Sequence, residues 1–390
     1  MTRILVIGGG IAGTATALAL HKAGFEVAVH EAHPDTAEDI GAFLAVASNG
    51  MRALAELDAS GVVAALGFPL RSMRVLDAQG GQLIEVPLGE ADDPWLWYRC
   101  LRRGELNAAL QAEAVRRGIR LSHGARLVSV ENEQDEVTVR FADGSVATGD
   151  LLVGADGLSS TVRQSVAPGV EPVYAGQGVF YGYTSSNPAA EGTGQFTTVR
   201  GSAAAFGYMV SPDGETYWFA RVSRDAVPAD ELAHPTPSRW RDQLVALLAK
   251  DATPAADIVA ASTDDIMATN ATEIPPGTSW RSGRTLLIGD AAHAASPVTG
   301  QGASMALEDA VILAKSLRDD PDLDSALSLY EACRRPRVEH NIIASGAISR
   351  RTRTPPRAAG APPPQRPGDD TLAVQLDWKL DMRTTYDNAD

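Results

Sequence analysis

The chain opens on an apolar run, RILVI at Arg3–Ile7, of the length and β-branched content expected for a strand buried on both faces of a parallel sheet. An Ala- and Leu-rich stretch, Ile11–Ala23, follows and closes on Gly24, which readily takes the left-handed position after a helix. EVAVH at Glu26–His30 is then a second strand, so the pattern predicts a βαβ beginning. Asn49–Leu57 and Gly104–Arg117 carry helical spacing. Arg126–Glu131 and Val137–Phe141 alternate as a hairpin pair, and Leu151–Val153 is another buried strand.

The pattern changes in the middle. Val179–Thr184, Ala204–Val210 and Thr216–Val222 are short, aromatic and alternating, and Ser-Pro-Asp-Gly joins the last two as a hairpin turn. They predict an antiparallel sheet with one face on a pocket or core. A helix near Arg239–Ala249 follows, and βα character returns at Thr285–Ile288. A long helix over Leu323–Arg350 closes the fold. Thr354–Asp370 is too rich in proline to pack and reads as a linker or disordered segment. Leu372–Met382, which contains Trp378, is a candidate docking tail.

Composition narrows the functions available. At 390 residues the chain has room for two domains, and its net charge of −15 disfavours a nucleic-acid partner. No apolar run reaches the roughly 18 residues of a membrane helix. Met1-Thr2-Arg3 leads straight into a strand, which argues against a signal peptide. Cys100 and Cys333 make neither a disulfide framework nor a metal site, and a reducing cytoplasm is the expected location.

Gly8-Gly9-Gly10-Ile11-Ala12-Gly13 satisfies G-x-G-x-x-G between a strand and a helix. Gly8 permits the tight turn, Gly10 lets the backbone approach a pyrophosphate, and Gly13 lets helix and strand pack closely. The helix N-terminus then offers unpaired N–H groups to phosphate. Glu31, at the end of the second strand, is placed to accept the ribose hydroxyls. These features predict a dinucleotide without choosing between FAD and NAD. A second glycine loop makes the choice. The apolar strand before Gly289-Asp290 places Asp290 at a carboxyl edge of the sheet, where an acid can bind the ribityl hydroxyls of a flavin. Pro297-Val298-Thr299-Gly300-Gln301-Gly302 then enters a helix whose N-terminus would stabilise negative charge on a reduced flavin, with Pro297 as a wall beside the ring.

A third motif, Asp150-Leu151-Leu152-Val153-Gly154-Ala155-Asp156-Gly157, continues to Ser159, Ser160 and Arg163. With the glycine fingerprint, Asp156-Gly157 and Gly289-Asp290 in this order, the sequence resembles the single-component (class A) FAD-dependent monooxygenases over about residues 3–350. That group includes aromatic-ring hydroxylases and tetracycline-inactivating monooxygenases. The resemblance implies that Asp290 contacts the riboflavin part of FAD and that Asp156 takes part in FAD and NAD(P)H binding. It also implies that Arg103 contacts the cofactor's phosphate or ribityl region, and that backbone near Leu127 contacts adenine. The chain departs from the family pattern in two places. Gly41-Ala42-Phe43-Leu44 stands where the family often has Gly-Ala-Gly-Ile, which sets Phe43 and Leu44 near the flavin. Ala32 and His33 follow Glu31 where many relatives have arginine.

The expected fold is therefore α/β. A discontinuous Rossmann-like FAD-binding domain (1–70, 100–175 and 265–350, with a long C-terminal helix) surrounds an inserted antiparallel β-sheet substrate domain (71–99 and 176–264). Residues 351–390 form the Pro-rich linker and tail. The resemblance implies non-covalent FAD, NADH or NADPH as co-substrate, O2, and oxygenation of a small aromatic or polycyclic organic substrate through a flavin C4a-hydroperoxide. Tyr181, Tyr183 and Tyr208 are the candidate pocket residues, while Pro297 and Gly302 are candidates for flavin activation. A non-oxygenating FAD oxidase or reductase fits the same motifs, as does a binding protein that keeps the fold without the cofactor. No metal is expected.

Overall fold

The computed structural model describes residues 2–36, 41–89, 93–185, 192–262, 266–350 and 366–387. Its central sheet has six strands in the order Arg281–Ser282, Thr285–Leu287, Leu151–Gly154, Arg3–Ile7, Glu26–His30 and Arg120–Ser122. All but the first pair in parallel. Val6 lies in register with Val29 on one side and Val153 on the other, all fully buried, which accounts for the unbroken apolar runs in the sequence. Because the strands are parallel, the turns at Gly8, Glu31, Asp156 and Asp290 all leave from the same edge of the sheet. The helices Ile11–Lys22, Arg103–Arg116 and Gly302–Asp319 pack together beside it. A three-stranded meander (Leu127–Asn132, Val137–Phe141, Val146–Gly149) also packs on it, with Phe141 stacked on His30 at 4.6 Å.

The second architecture is a seven-stranded sheet. Four antiparallel pairings join Met267–Glu273, Val173–Thr184, Thr216–Ser223, Ala204–Val210 and Gln195–Arg200 in that order. Gln195–Arg200 then pairs in parallel with Ser72–Asp77, which holds Gln82–Pro87 at the edge. The aromatic strands expected from the sequence are thus present. Strand Val173–Thr184 starts shortly before the range 176–264, and strand Met267–Glu273 lies wholly beyond it.

Alternation gives this sheet two unlike faces. Phe180, Phe206, Tyr208, Trp218 and Ala220 point to the back, against the helices Pro237–Leu248 and Ala255–Ala260, and form a closed core with Trp240. Full burial of one tryptophan there contributes about 4–6 kcal/mol, enough to anchor the helical layer. Tyr181, Tyr183, Phe196, Tyr217 and Phe219 point the other way. They meet Phe43, Phe68 and Cys100 from a small sheet of Phe43–Val46, Tyr98–Arg102 and Phe68–Leu70.

The helix Leu323–Ser349 follows the second glycine loop. The stretch 354–365, read above as linker, lies outside the described residues, and 366–370 are described. The tail does dock: Trp378 lies between Lys22 and Arg318, at 5.0 and 5.2 Å from its ring, and its N–H donates to Glu56. Among the described residues no helix is long and apolar enough to cross a membrane, and no cluster of His, Cys, Asp and Glu could hold a metal.

Candidate active site

The first glycine turn is built by exclusion. Gly8 has φ of 104°, and a Cβ there would stand 2.4 Å from the Ala155 carbonyl oxygen. A Cβ on Gly13 would stand 1.9 Å from the Gly8 carbonyl oxygen, so helix and strand touch only because both residues are glycine. Gly10 is different: a Cβ there would meet no atom within 4 Å. The space before it is open, and no side chain caps the helix it begins. Donors at that helix start thus face a gap able to take phosphate.

Glu31 is already engaged. Its carboxylate accepts from the Gly9 N–H at 2.5 Å and from the His33 N–H at 2.6 Å. The Gly9 carbonyl in turn accepts from Thr14 Oγ1 and Gln111 Nε2. Glu31 therefore braces the turn, and a carboxylate has lone pairs left for a ribose hydroxyl.

The Asp156 side chain accepts from Ser160 Oγ and from the N–H groups of Thr161 and Val162, at the start of the helix Thr161–Val166, whose N-cap is Ser160. Burial pushes its carboxyl up, and those hydrogen bonds oppose the shift. What the motif sets against the cofactor edge is backbone: the Asp156 Cα lies 3.0 Å from where a Gly8 Cβ would be. Arg163, in the same helix and almost fully buried, donates to the Ala291 carbonyl at 3.1 Å. The Asp156-Gly157 motif thus braces the Gly289-Asp290 turn.

At the second glycine loop Gly289 turns with φ of 55° and delivers Asp290, which is exposed at the sheet edge. The position of a Cβ on Gly302 is 4.0 Å from Asp290 Oδ1. Asp290 and the start of Gly302–Asp319 therefore face one another, and no side chain caps that helix either. Pro297 and Gly300 are exposed beside them, whereas Gln301 is buried and accepts from Asn49 Nδ2 at 3.1 Å. Two uncapped helix starts, each beside a carboxylate on one sheet edge, match the two ends of FAD in the chemistry of their donors and acceptors.

Arg103 begins the helix Arg103–Arg116, with its exposed side chain beside Gly41. Leu127 is buried at the start of its strand, in register with Phe141. Leu44 is half-buried, and Phe43 is packed edge-on against Tyr181, Tyr183 and Tyr217 at 5.5–6.1 Å. Phe43 therefore joins the cofactor edge to the aromatic sheet. Tyr181 and Tyr183 lie on the sheet face that meets Phe43, and burial pushes both phenols up to about 12, so they are neutral donors at ordinary pH. Arg102 lies 4.1 Å from the Tyr183 ring and pairs with Glu215 at 2.9 Å. Tyr208 is not on this face. It is 1 % exposed on the back face, because it lies opposite Trp218 in a register that sends both behind the sheet.

The sequence reading did not find what holds this site. Arg334 is fully buried and donates to Asp309 at 2.8 Å and to Glu308 at 2.6 Å. Asp309 also accepts from the Gly289 N–H at 3.1 Å and pairs with His293 Nε2 at 2.6 Å. Glu308 accepts from Arg337 and from Asn49 Nδ2, which also bonds Gln301. Both glycine-loop residues are thus tied to one buried ionic cluster. Coulombic attraction from His293 and Arg334 outweighs burial and holds the Asp309 carboxyl below the usual range. The signal available was an acid pair, Glu308-Asp309, flanked by the apolar runs Met305–Leu307 and Ala310–Ala314.

Comparison with known proteins agrees with this geometry. The family described as "FAD binding domain" matches residues 1–345. An aurachin C monooxygenase/isomerase of Stigmatella aurantiaca is 31% identical, with 88% of each chain covered. An FAD-dependent urate hydroxylase of Klebsiella pneumoniae is 33% identical over 87% of this chain and 88% of its own. The crystal structure of Klebsiella pneumoniae HpxO complexed with FAD and uric acid superimposes with a TM-score of 0.79 at 27% identity, covering 99% of this chain and 95% of that one. With the family match spanning residues 1–345, this protein belongs to the FAD-binding-domain family and is an FAD-dependent monooxygenase, an oxidoreductase.

Proposed function

We propose that the chain holds FAD non-covalently along the carboxyl edge of its parallel sheet and oxygenates a small, flat aromatic substrate in the cleft under Tyr181 and Phe219. The supporting observation is the meeting of three features at one place: two uncapped helix starts, two carboxylates and an aromatic sheet face. Backbone donors at Gly10–Ala12 would hold the pyrophosphate, with Glu31 at the ribose and Asp290 at the ribityl chain. The helix start at Gly302 would stand at the ring's electron-rich edge. Bound FAD supplies the redox chemistry, taking two electrons from NAD(P)H and activating O2 to give up one oxygen atom.

The protein's own part is binding, orientation and exclusion of water. Phe43, Tyr181, Tyr183 and Tyr217 wall the cleft with apolar rings, and such a wall protects reactive oxygen species from water. Relatives named for urate and kynurenine support a small ring substrate. The test is to follow flavin reduction by NADH and by NADPH in the purified holoprotein against a panel of aromatic compounds. Accelerated reduction with a ring compound, with oxygen consumed and a hydroxylated product formed, is the expected result. Electrons appearing only as hydrogen peroxide with every compound would assign the protein instead to the non-oxygenating flavin enzymes.

A further inference from the structure

The C-terminal tail reaches the second glycine loop through a turn. Arg366-Pro367-Gly368-Asp369 has proline at its second position and a glycine with φ of 75° at its third, and the Asp369 N–H donates to the Arg366 carbonyl at 3.0 Å to close it. The Asp369 carboxylate accepts from the Arg366 N–H at 2.8 Å and from Arg337 Nη1. Arg337 is almost fully buried, and its Nε and Nη2 donate to Glu308 at 2.9 and 3.0 Å. Glu308 accepts in turn from Asn49 Nδ2, which also donates to Gln301 Oε1 at 3.1 Å. A second route ends on the same residue. The Tyr98 hydroxyl is hydrogen-bonded to the Gln301 side chain, and while burial pushes this phenol up, Arg366 and the Gln301 bond pull against it, so the tail's charge is felt there. Gln301 is the residue from which the helix Gly302–Asp319 starts. Its buried side chain is held by Asn49 and by Tyr98, and both lead back to one turn of the tail. Without Asp369, Arg337 would keep only Glu308, which Arg334 and Asn49 also use, so the change would be passed on to Gln301.

We propose that Asp369 is a positioning residue for FAD: through Arg337 and Tyr98 the tail turn clasps the Gln301-Gly302 helix start and slows release of the cofactor. The proposal rests on the flavin's lying at that helix start. Anchoring the Gln301 side chain fixes the backbone at the residue that aims the first N–H groups of the helix. Hydrogen-bond and salt-bridge networks that share buried partners can carry coupling between sites, and each member here is shared by its neighbours.

The experiment dilutes the full-length, FAD-loaded enzyme and follows cofactor release by flavin fluorescence. Asp369→Asn should release FAD at least about fivefold faster than the parent, the low end of coupling between linked sites, and Asp369→Glu should recover most of the parent rate. Tyr98→Phe, which removes one hydroxyl, should also speed release and keeps the test decisive if Asp369→Asn folds poorly. Gln301→Leu cuts both routes at their common residue, so adding Asp369→Asn to it should change the rate by less than about twofold, the error of additivity. A tail that only stabilises the whole fold would show its effect equally in either background. Parent-like release from Asp369→Asn or from Tyr98→Phe overturns the assignment, as does an Asp369→Asn effect that is undiminished in Gln301→Leu. Failure of the cofactor placement would look different: Gln301→Leu itself would hold FAD like the parent, which removes the loop from the FAD site and the proposal with it.

Discussion

Arg334→Met tests whether the buried ionic cluster holds the flavin loop in place. The guanidinium is fully buried and makes three bonds, to Glu308, Asp309 and the Met305 carbonyl. Breaking a buried pair by removing one partner costs about 3–5 kcal/mol, because a charge is left without compensation. Glu308 keeps Arg337 and Asn49, and Asp309 keeps His293 and the Gly289 N–H, so the low end, about 3 kcal/mol, is expected. That is a large share of the roughly 5–15 kcal/mol that stabilises a typical domain. The sign with pH follows from Asp309. In the parent its carboxyl lies below the unfolded value, so it contributes stability above that value and loses it in acid. In the variant Asp309 keeps His293 and the Gly289 N–H but loses Arg334, so its carboxyl is depressed less and the stability it contributes at neutral pH is smaller. Urea denaturation at pH 8 and pH 3, with and without added FAD, should show the gap between parent and variant narrowing at pH 3. A variant as stable as the parent at pH 8, or a gap that widens in acid, would refute the reasoning.

Glu31→Ala and Asp290→Ala should each weaken FAD by about tenfold or more, the worth of one charge-assisted hydrogen bond, measured by flavin titration of the apoproteins; parent-like affinity in both would move the cofactor elsewhere. Gly302→Pro should fold, since proline is tolerated at a first helical position, and should lower the flavin midpoint potential in a redox titration; an unchanged potential would remove this helix start from flavin activation. Lys315 is pulled down to about 8 by burial, with its ammonium bonded to the Gln375 and Asp377 carbonyls of the tail. The folded state therefore releases this proton earlier than the unfolded state, and the group's contribution to stability rises with pH from about 8 to about 10.4. Denaturation of Lys315→Met across that range should lack the rise, and a rise equal to the parent's would show that Lys315 does not cause it.

The parts of this molecule legible in the sequence are those with short-range signatures. RILVI and EVAVH are short, β-branched-rich runs bounded by turn residues, which favours strands, and the turns at Gly8 and Gly13 follow from contacts only glycine tolerates. Tyr208 shows the limit. Alternation separates the two faces of Ala204–Val210 but does not say which one meets the cleft; the helices Pro237–Leu248 and Ala255–Ala260 decide that by covering the back. The hydrogen bonds that Ser160 and two backbone donors give to Asp156 are a local arrangement that the motif does not display. The Arg334 cluster was hidden for another reason. Its members are separated by 25 and 26 residues, and only the packing of two long helices brings them together.

Isotope labelling tests the central claim most directly. The holoenzyme, supplied with NAD(P)H and the aromatic compound that best accelerates flavin reduction, is turned over under 18O2 in ordinary water, and the product is weighed by mass spectrometry. One 18O atom in each product molecule, with one NAD(P)H consumed for it, is the predicted result. Product oxygen drawn from water, or an unlabelled product with all the electrons recovered as hydrogen peroxide, would contradict it.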